Sequence, residues 1–253
     1  MPPLNSKDAG PRALESGNSS PDWIAYWKQD QFWAQSKIWA LNARLFLKKS
    51  APFLNLSSVD KVLDIGCGPG FVAELLAPRV GQYLGLDTSE TLLHKARPRC
   101  ASLSNVSFER LPENYTRFEV SGKFSLFLCI SVIQYYGSTD QVLQLVESVR
   151  NFALPGARLL LADIPQPRNI QEWLWDFLCS VGQSIGEGYV LDYLGTIVKW
   201  FFSDYRKISK TMPILEIPVE KLGSQISRLG LKATIIRPSV SVCANRPSLL
   251  VQF

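Results

Sequence analysis

Residues 62–70 read Val-Leu-Asp-Ile-Gly-Cys-Gly-Pro-Gly, an apolar strand running into a turn with glycine at every second position. Glycines packed this closely let the backbone bend sharply and let a ligand approach where any side chain would block it. A second apolar run, Tyr83–Leu86, ends on Asp87, whose carboxylate can accept hydrogen bonds from the two hydroxyls of a ribose. A strand, a glycine turn, a helix and a second strand closing on a carboxylate commit the chain to an α/β sheet carrying a nucleoside-containing cofactor at its strand ends.

The glycine spacing narrows that cofactor. In the G-x-G-x-x-G turn of dinucleotide-binding proteins, a helix N-terminus and open backbone donors receive a pyrophosphate. Here Pro69 removes one donor and Asp64 sets a carboxylate beside the turn, so an anion is poorly served. A ligand with ammonium and sulfonium groups suits the site better. On Asp64, Gly66, Gly68, Gly70 and Asp87 the chain resembles the class I methyltransferases that use S-adenosylmethionine and release S-adenosylhomocysteine, with the resemblance covering about residues 55–165 and loosening toward the end.

The resemblance implies residue roles. Gly66, Cys67, Gly68 and Gly70 would surround the methionine part of the cofactor, with Asp64 near its ammonium. Asp87 would take the ribose hydroxyls, a role compatible with its being a carboxylate at a helix N-terminus. Thr88 or Ser89 would pack near the adenine, and Leu111 would cover the ring. The family's usual Asp-Ala after the third strand is replaced by Glu109-Arg110-Leu111-Pro112-Glu113, where Glu109 or Glu113 either meets the exocyclic amine or is a solvated loop carboxylate. Cys129, Ile130 and Ser131 would lie beneath the methyl group, with Gln134 and Tyr135 where the acceptor arrives. Tyr26 and Trp27 would close over the cofactor.

The remaining elements follow from periodicity. Trp23–Ala51 reads as one or two helices ended by Pro52. Strand one covers Lys61–Ile65, followed by a helix from Phe71 stopped at Pro78. Tyr83–Leu86 is strand two, followed by a helix opened by Thr88 or Ser89 and terminated by Pro98. Val106–Phe108 is strand three, and the nearly unbroken apolar run Phe124–Ile130 is a central strand buried on both faces. A helix capped by Thr139 and followed by Gly156 leads to strand five, Arg158–Ile164. After an irregular section, a helix closes at Gly230 and two strands, Leu231–Arg237 and Ser248–Phe253, are joined too briefly for a crossover and must be antiparallel. The expected fold is a Rossmann-like, mostly parallel seven-stranded sheet with an antiparallel C-terminal strand, helices on both faces and a helical cap.

A chain of 253 residues holds one such domain with additions. Residues 1–20, rich in Pro, Ser, Gly and Asn, read as a loose tail with no signal-peptide run. Residues 21–253 read as a single domain, with 21–52 as an N-terminal lid and 166–215 as a cap insertion. The five scattered cysteines, without a C-x-x-C pair, suit a reducing, cytoplasmic setting and argue against a zinc or other metal site. A net charge of +5 permits an anionic partner without requiring one. No nucleic-acid-binding module is evident, and the Asn/Asp-Pro-Pro-aromatic signature is absent after the fourth strand. Nothing in the sequence sets an oligomeric state.

All seven tryptophans lie in the lid and cap segments, reading either as the wall of an acceptor pocket or as a satellite core between the two segments. Tyr189–Phe202 is strongly apolar yet too short and too charged to span a bilayer; a cap helix is expected. With Lys199, Arg206, Lys207 and Lys210 it leaves room for peripheral contact with a membrane or a lipid-linked acceptor. The single histidine, His94, sits in the helix after strand two and reads as a surface residue. The base candidates are therefore Asp163, which is also placed to cap the Pro-rich turn after it, Tyr135 or Tyr136, and Glu172.

The expected function is methyl transfer to oxygen or nitrogen of a small acceptor. Asp-Ile-Pro at 163–165 and the stretch 246–251 are similar to bacterial methyltransferases of surface-polysaccharide and secondary-metabolite pathways. They rank a metabolite or sugar first, a lipid second, and protein or nucleic acid last. The alternatives are a non-catalytic cofactor-binding or partner subunit of the same fold and, further off, an NAD-dependent oxidoreductase.

Overall fold

In the computed structural model, which describes residues 21–29, 37–112 and 115–253, the strands are β1 Lys61–Ile65, β2 Gln82–Asp87, β3 Val106–Arg110, β4 Phe124–Ile130, β5 Ala153–Ala162, β6 Lys232–Ile236 and β7 Ser248–Gln252. Among the described residues they form one seven-stranded sheet in the order β3-β2-β1-β4-β5-β7-β6. The first five pair in parallel, while β7 runs antiparallel between β5 and β6. The order reverses between β1 and β4, the switch point at whose strand ends open α/β sheets bind ligands.

The helices are α1 Pro21–Lys28, α2 Lys37–Leu54, α3 Phe71–Leu76, α4 Glu90–Arg99, α5 Thr139–Arg150, α6 Ile170–Gly186, α7 Val190–Phe201, α8 Asp204–Thr211 and α9 Val219–Arg228. Alternation along the strands divides the core into two layers. Leu63, Phe127 and Leu159 face α5 and α9 through Leu145, Val149 and Leu222. Val62, Leu126 and Leu160 face α2 and α3 through Phe46, Leu47 and Leu76.

Four local expectations are corrected. Pro52 and Pro98 lie inside the last turns of α2 and α4. The carbonyls they deprive of a partner belong to the exposed residues Lys48 and His94, where water replaces the lost bond. Ser138, not Thr139, caps α5, its side chain accepting from the Gln141 N–H. β5 starts at Ala153, and the register shift between its pairings at Phe124 and Leu126 takes up Gly156, whose φ is +75°. The section between β5 and β6 folds into α6, α7 and α8, of which α7 is the expected cap helix and α6 and α8 are additions to the expectation. α6 opens on a capping box in which Asn169 accepts from the Gln171 and Glu172 amides while the Glu172 side chain accepts from the Asn169 N–H.

That insertion leaves and rejoins the domain at one point. The Gln166 amide donates to the carbonyls of Ile164 at 3.2 Å and Ile217 at 2.8 Å and accepts from the Val219 N–H at 3.1 Å, while the Ile217 N–H donates to the Pro165 carbonyl at 2.9 Å.

Candidate active site

The glycine turn after β1 has left-handed backbone at Gly66 (φ +77°), Gly68 (φ +55°) and Gly70 (φ +80°). A Cβ on Gly66 would stand 2.3 Å from a Val132 methyl, and one on Gly68 3.2 Å from the Trp39 ring, so side chains here would fill the space above the turn. The N–H groups of Gly66 and Cys67 both donate to the Leu86 carbonyl, locking the turn to the end of β2. There Asp87 accepts from the Gly68 N–H and the Ser89 N–H, each at 2.8 Å.

Above these strand ends lies a cavity of about 430 Å³. Its cofactor end is walled by Asp64, Gly66, Gly68, Asp87, Thr88 and Leu111, and Cys67 and Ile130 also line it. Burial pushes the Asp64 carboxyl up to about 7, against the opposing hydrogen bond from the Tyr83 hydroxyl, and Asp87 adds its charge in the same direction. Burial likewise pushes Asp87 up to about 6, against the backbone donors of Ser89, Gly68 and Thr88. Trp27 adds a buried indole N–H without a hydrogen-bond partner in the cavity wall. Open space over the turn, two buried carboxylates and an unused donor fit a cationic, nucleoside-bearing ligand.

Residues 62–156 match the methyltransferase-domain family. The chain is 26% identical over 136 residues to the ubiquinone biosynthesis O-methyltransferase of Acinetobacter baylyi, covering 53% of this chain and 52% of that one. It is 30% identical over 158 residues to the chondramide synthase of Chondromyces crocatus, covering 60% of this chain and 4% of the synthase. The chain thus spans about half the length of the first relative and a small part of the second. The solved magnesium protoporphyrin IX methyltransferase from Synechocystis PCC 6803, with bound S-adenosylmethionine, has the same fold with a TM-score of 0.57, 14% identity and coverage of 96% of this chain and 99% of that one. Over residues 62–156 the chain carries a methyltransferase domain.

The other end of the cavity is aromatic. Trp23, Trp27, Trp39, Tyr135, Trp200 and Tyr205 line it. Trp23 packs on Tyr135 at 4.9 Å and on Tyr205 at 5.0 Å between ring centroids, and Trp27 on Trp39 at 6.0 Å. Part of the alternative reading also holds, since Trp39, Tyr189 and Tyr193 join Ile38 and Leu45 in a small satellite core between lid and cap. The cavity is not filled by these side chains and reaches Ser131, which favours an enzyme over a non-catalytic relative.

Beneath the aromatics, Asp163 accepts from the hydroxyls of Ser131 and Ser241, each at 2.7 Å, and from the Arg246 guanidinium at 3.1 Å. Arg246 also donates to the Gln134 side-chain Oε1 at 2.9 Å. Ser131 and Asp163, on adjacent strand ends, both hold left-handed backbone, with φ of +57° and +64°. Two such non-glycine residues bonded to each other are strained, and strain of this kind gathers at sites where geometry matters. Burial pushes the Tyr135 phenol well above its ordinary range, and its hydroxyl is hydrogen-bonded to Tyr205.

Not every expected residue reaches the cavity. Gly70 stands outside its wall, and a Cβ there would meet Ala96 at 3.0 Å, so this glycine lets α3 and α4 approach. Tyr26 is buried edge-on against Trp23 and Trp27, which line the cavity from α1 together with Ile24. Cys129 points into the core, Glu172 is spent in the α6 cap, and Tyr136 is buried against Tyr115, away from the cavity. Glu109 and His94 are exposed. Residues 1–20, Trp33 and Glu113 lie outside the described residues. Sequence reading singled out neither Tyr205 nor Arg246, both of which line the cavity.

The two raised carboxyls make cofactor binding pH-dependent. A carboxyl raised in the folded state keeps a proton that the unfolded chain has already released, so its stabilising contribution is full below the ordinary carboxyl pKa of 3.8 and is lost as pH rises through about 6 for Asp87 and about 7 for Asp64. A cationic ligand prefers the ionised forms. Affinity for S-adenosylmethionine is therefore expected to rise through this window and level off above it while the free protein's melting temperature falls. Titration calorimetry across the window checks this, and Asp64→Asn is expected to remove the upper part of the rise.

Proposed function

We propose that the acceptor is a small molecule with a planar, largely apolar body, methylated on an oxygen that is acidic enough to ionise without a strong protein base. The aromatic acceptor end carries this reading, because stacked indole and phenol walls favour flat apolar bodies and exclude water. The ubiquinone-biosynthesis relative, whose printed name is O-methyltransferase, supports oxygen over nitrogen.

When bound, S-adenosylmethionine supplies an electrophilic methyl group. Asp87 and Asp64 would hold its ribose and its ammonium, and the bare Gly66 and Gly68 leave room for its chain. The protein's remaining work is alignment, since fixing two reactants in line is worth a large effective concentration. Asp163 is spent on three donors and on balancing Arg246, which makes it a positioning residue rather than a free base. Tyr135, held as a neutral phenol, and Gln134 offer hydrogen bonds that orient the acceptor.

Asp163→Asn, which keeps the shape and one acceptor oxygen, is accordingly expected to lower kcat by less than about tenfold and to leave the pH profile unmoved. Removal of a true general base costs on the order of 10²–10⁴-fold. The assignment itself is tested by offering matched phenols, sugars and primary amines with labelled S-adenosylmethionine. Label in the phenols is the expected result; label confined to sugars or amines would reject the planar acidic acceptor.

A further inference from the structure

The outer surface of the insertion has its polarity reversed. α6 buries Asp176, Ser180 and Ser184, one polar residue per turn. Asp176 pairs with Arg168 at 2.8 Å and hydrogen-bonds Asn245, and Ser180 accepts from the Ala244 N–H at 3.1 Å. The opposite face shows solvent Leu174, Trp175 (64% exposed), Leu178 and Ile185. α7 extends this surface. Its Thr196 and Trp200 line the cavity, while Leu191 (83% exposed), Leu194, Val198 and Phe201 point outward, and Phe202, just past its end, is 85% exposed. A helix on a water-facing surface carries the opposite pattern, and an apolar patch this continuous marks a surface that meets something.

The border of the patch says what it meets. Residues 199–210 carry Lys199, Arg206, Lys207 and Lys210 against the single carboxylate Asp204. The Arg206 guanidinium lies 4.7 Å from the Phe201 ring centroid, with its charged head at the edge of the apolar face. Exposed tryptophan, phenylalanine and leucine beside a cluster of cations is the composition of a helix that lies in the headgroup region of an anionic bilayer. No described helix is long and apolar enough to cross a membrane. We propose that α6 and α7 dock, lying flat, on the surface of an anionic lipid bilayer, which sets the inner wall of the acceptor cavity about one helix diameter, ~10 Å, from lipid. The proposal does not depend on which acceptor is methylated.

The full chain would be sedimented with vesicles of phosphatidylcholine alone and with vesicles of phosphatidylcholine and phosphatidylglycerol in equal parts. Retention on the anionic vesicles, weak retention on the neutral ones and release by salt are expected. The Trp175→Glu/Phe202→Glu variant is expected to partition roughly tenfold or more weakly, because two charges replace the side chains that enter the interface. Neither residue lines the cavity, so unchanged affinity for S-adenosylmethionine verifies that the variant is folded. Wild-type protein left in solution with both vesicles, equal retention on both, or a variant that binds like the wild type would each overturn the proposal. If the wild type stays in solution as a dimer that the variant splits, the occupant is a second copy of the chain.

Discussion

Asp87→Ala is expected to abolish measurable binding of S-adenosylmethionine and S-adenosylhomocysteine in a calorimetric titration. The carboxylate stands at the end of β2 in the cavity wall, fixed by the Gly68 and Ser89 amides. A hydrogen bond to a charged acceptor contributes about 1.5–3 kcal/mol, so losing two from a ribose weakens binding by roughly a hundredfold or more. The substitution also frees the Gly68 amide that holds the glycine turn in place. Asp87→Asn separates the two effects, since it keeps one oxygen for the backbone and loses the charge. Its affinity is expected to fall between the other two, and an alanine variant that binds like the wild type would remove Asp87 from the cofactor site.

The second large effect is expected at Arg246. Replacing it with methionine leaves Asp163, buried at the end of β5, with two serine donors and no counter-charge, and takes away the donor to the Gln134 side-chain oxygen. Breaking a buried ion pair from one side costs about 3–5 kcal/mol. In a domain of this size, a loss at the low end of that range lowers the melting temperature by roughly 6–12 °C. Adding Asp163→Asn to Arg246→Met is expected to restore much of the loss, because no uncompensated charge then remains. Losses that simply add in the double variant would show that the two groups act independently, contrary to their 3.1 Å contact.

What could be read from the sequence was whatever depends on neighbours along the chain. β4 runs from Phe124 to Ile130 as its unbroken apolar run requires, and the antiparallel pairing of β6 with β7 follows from the shortness of their connection. Asp64, Gly66, Gly68 and Asp87 announce themselves because a left-handed turn and a strand-end carboxylate leave local marks. The acceptor end leaves none. Arg246 meets Asp163 only because β7 pairs antiparallel with β5, Leu161 opposite Leu249, which brings the residues just past one strand's end beside those just before the other's start. α6 escaped notice because its buried face is polar, although Asn169 and Glu172 carried the capping-box spacing that marks its start. Pro52 and Pro98 misled because a proline in a helix's last turn deprives only a carbonyl that water can reach.

The clamp at Gln166 bears on how such a catalyst diversifies. Because two of its hydrogen bonds, together with the Ile217 N–H to Pro165 carbonyl bond, tie the start of the excursion to its finish, everything between residues 167 and 216 departs from and returns to the same spot on the sheet. Segments whose ends already lie together are those that folds tolerate exchanging or lengthening. Most of the cavity's cofactor end is built outside this excursion, whereas Trp200 and Tyr205 within it face the acceptor. Grafting another such loop between Gln166 and Ile217 is expected to change what is recognised while leaving intact the glycine turn and the two carboxylates proposed to hold the methyl donor.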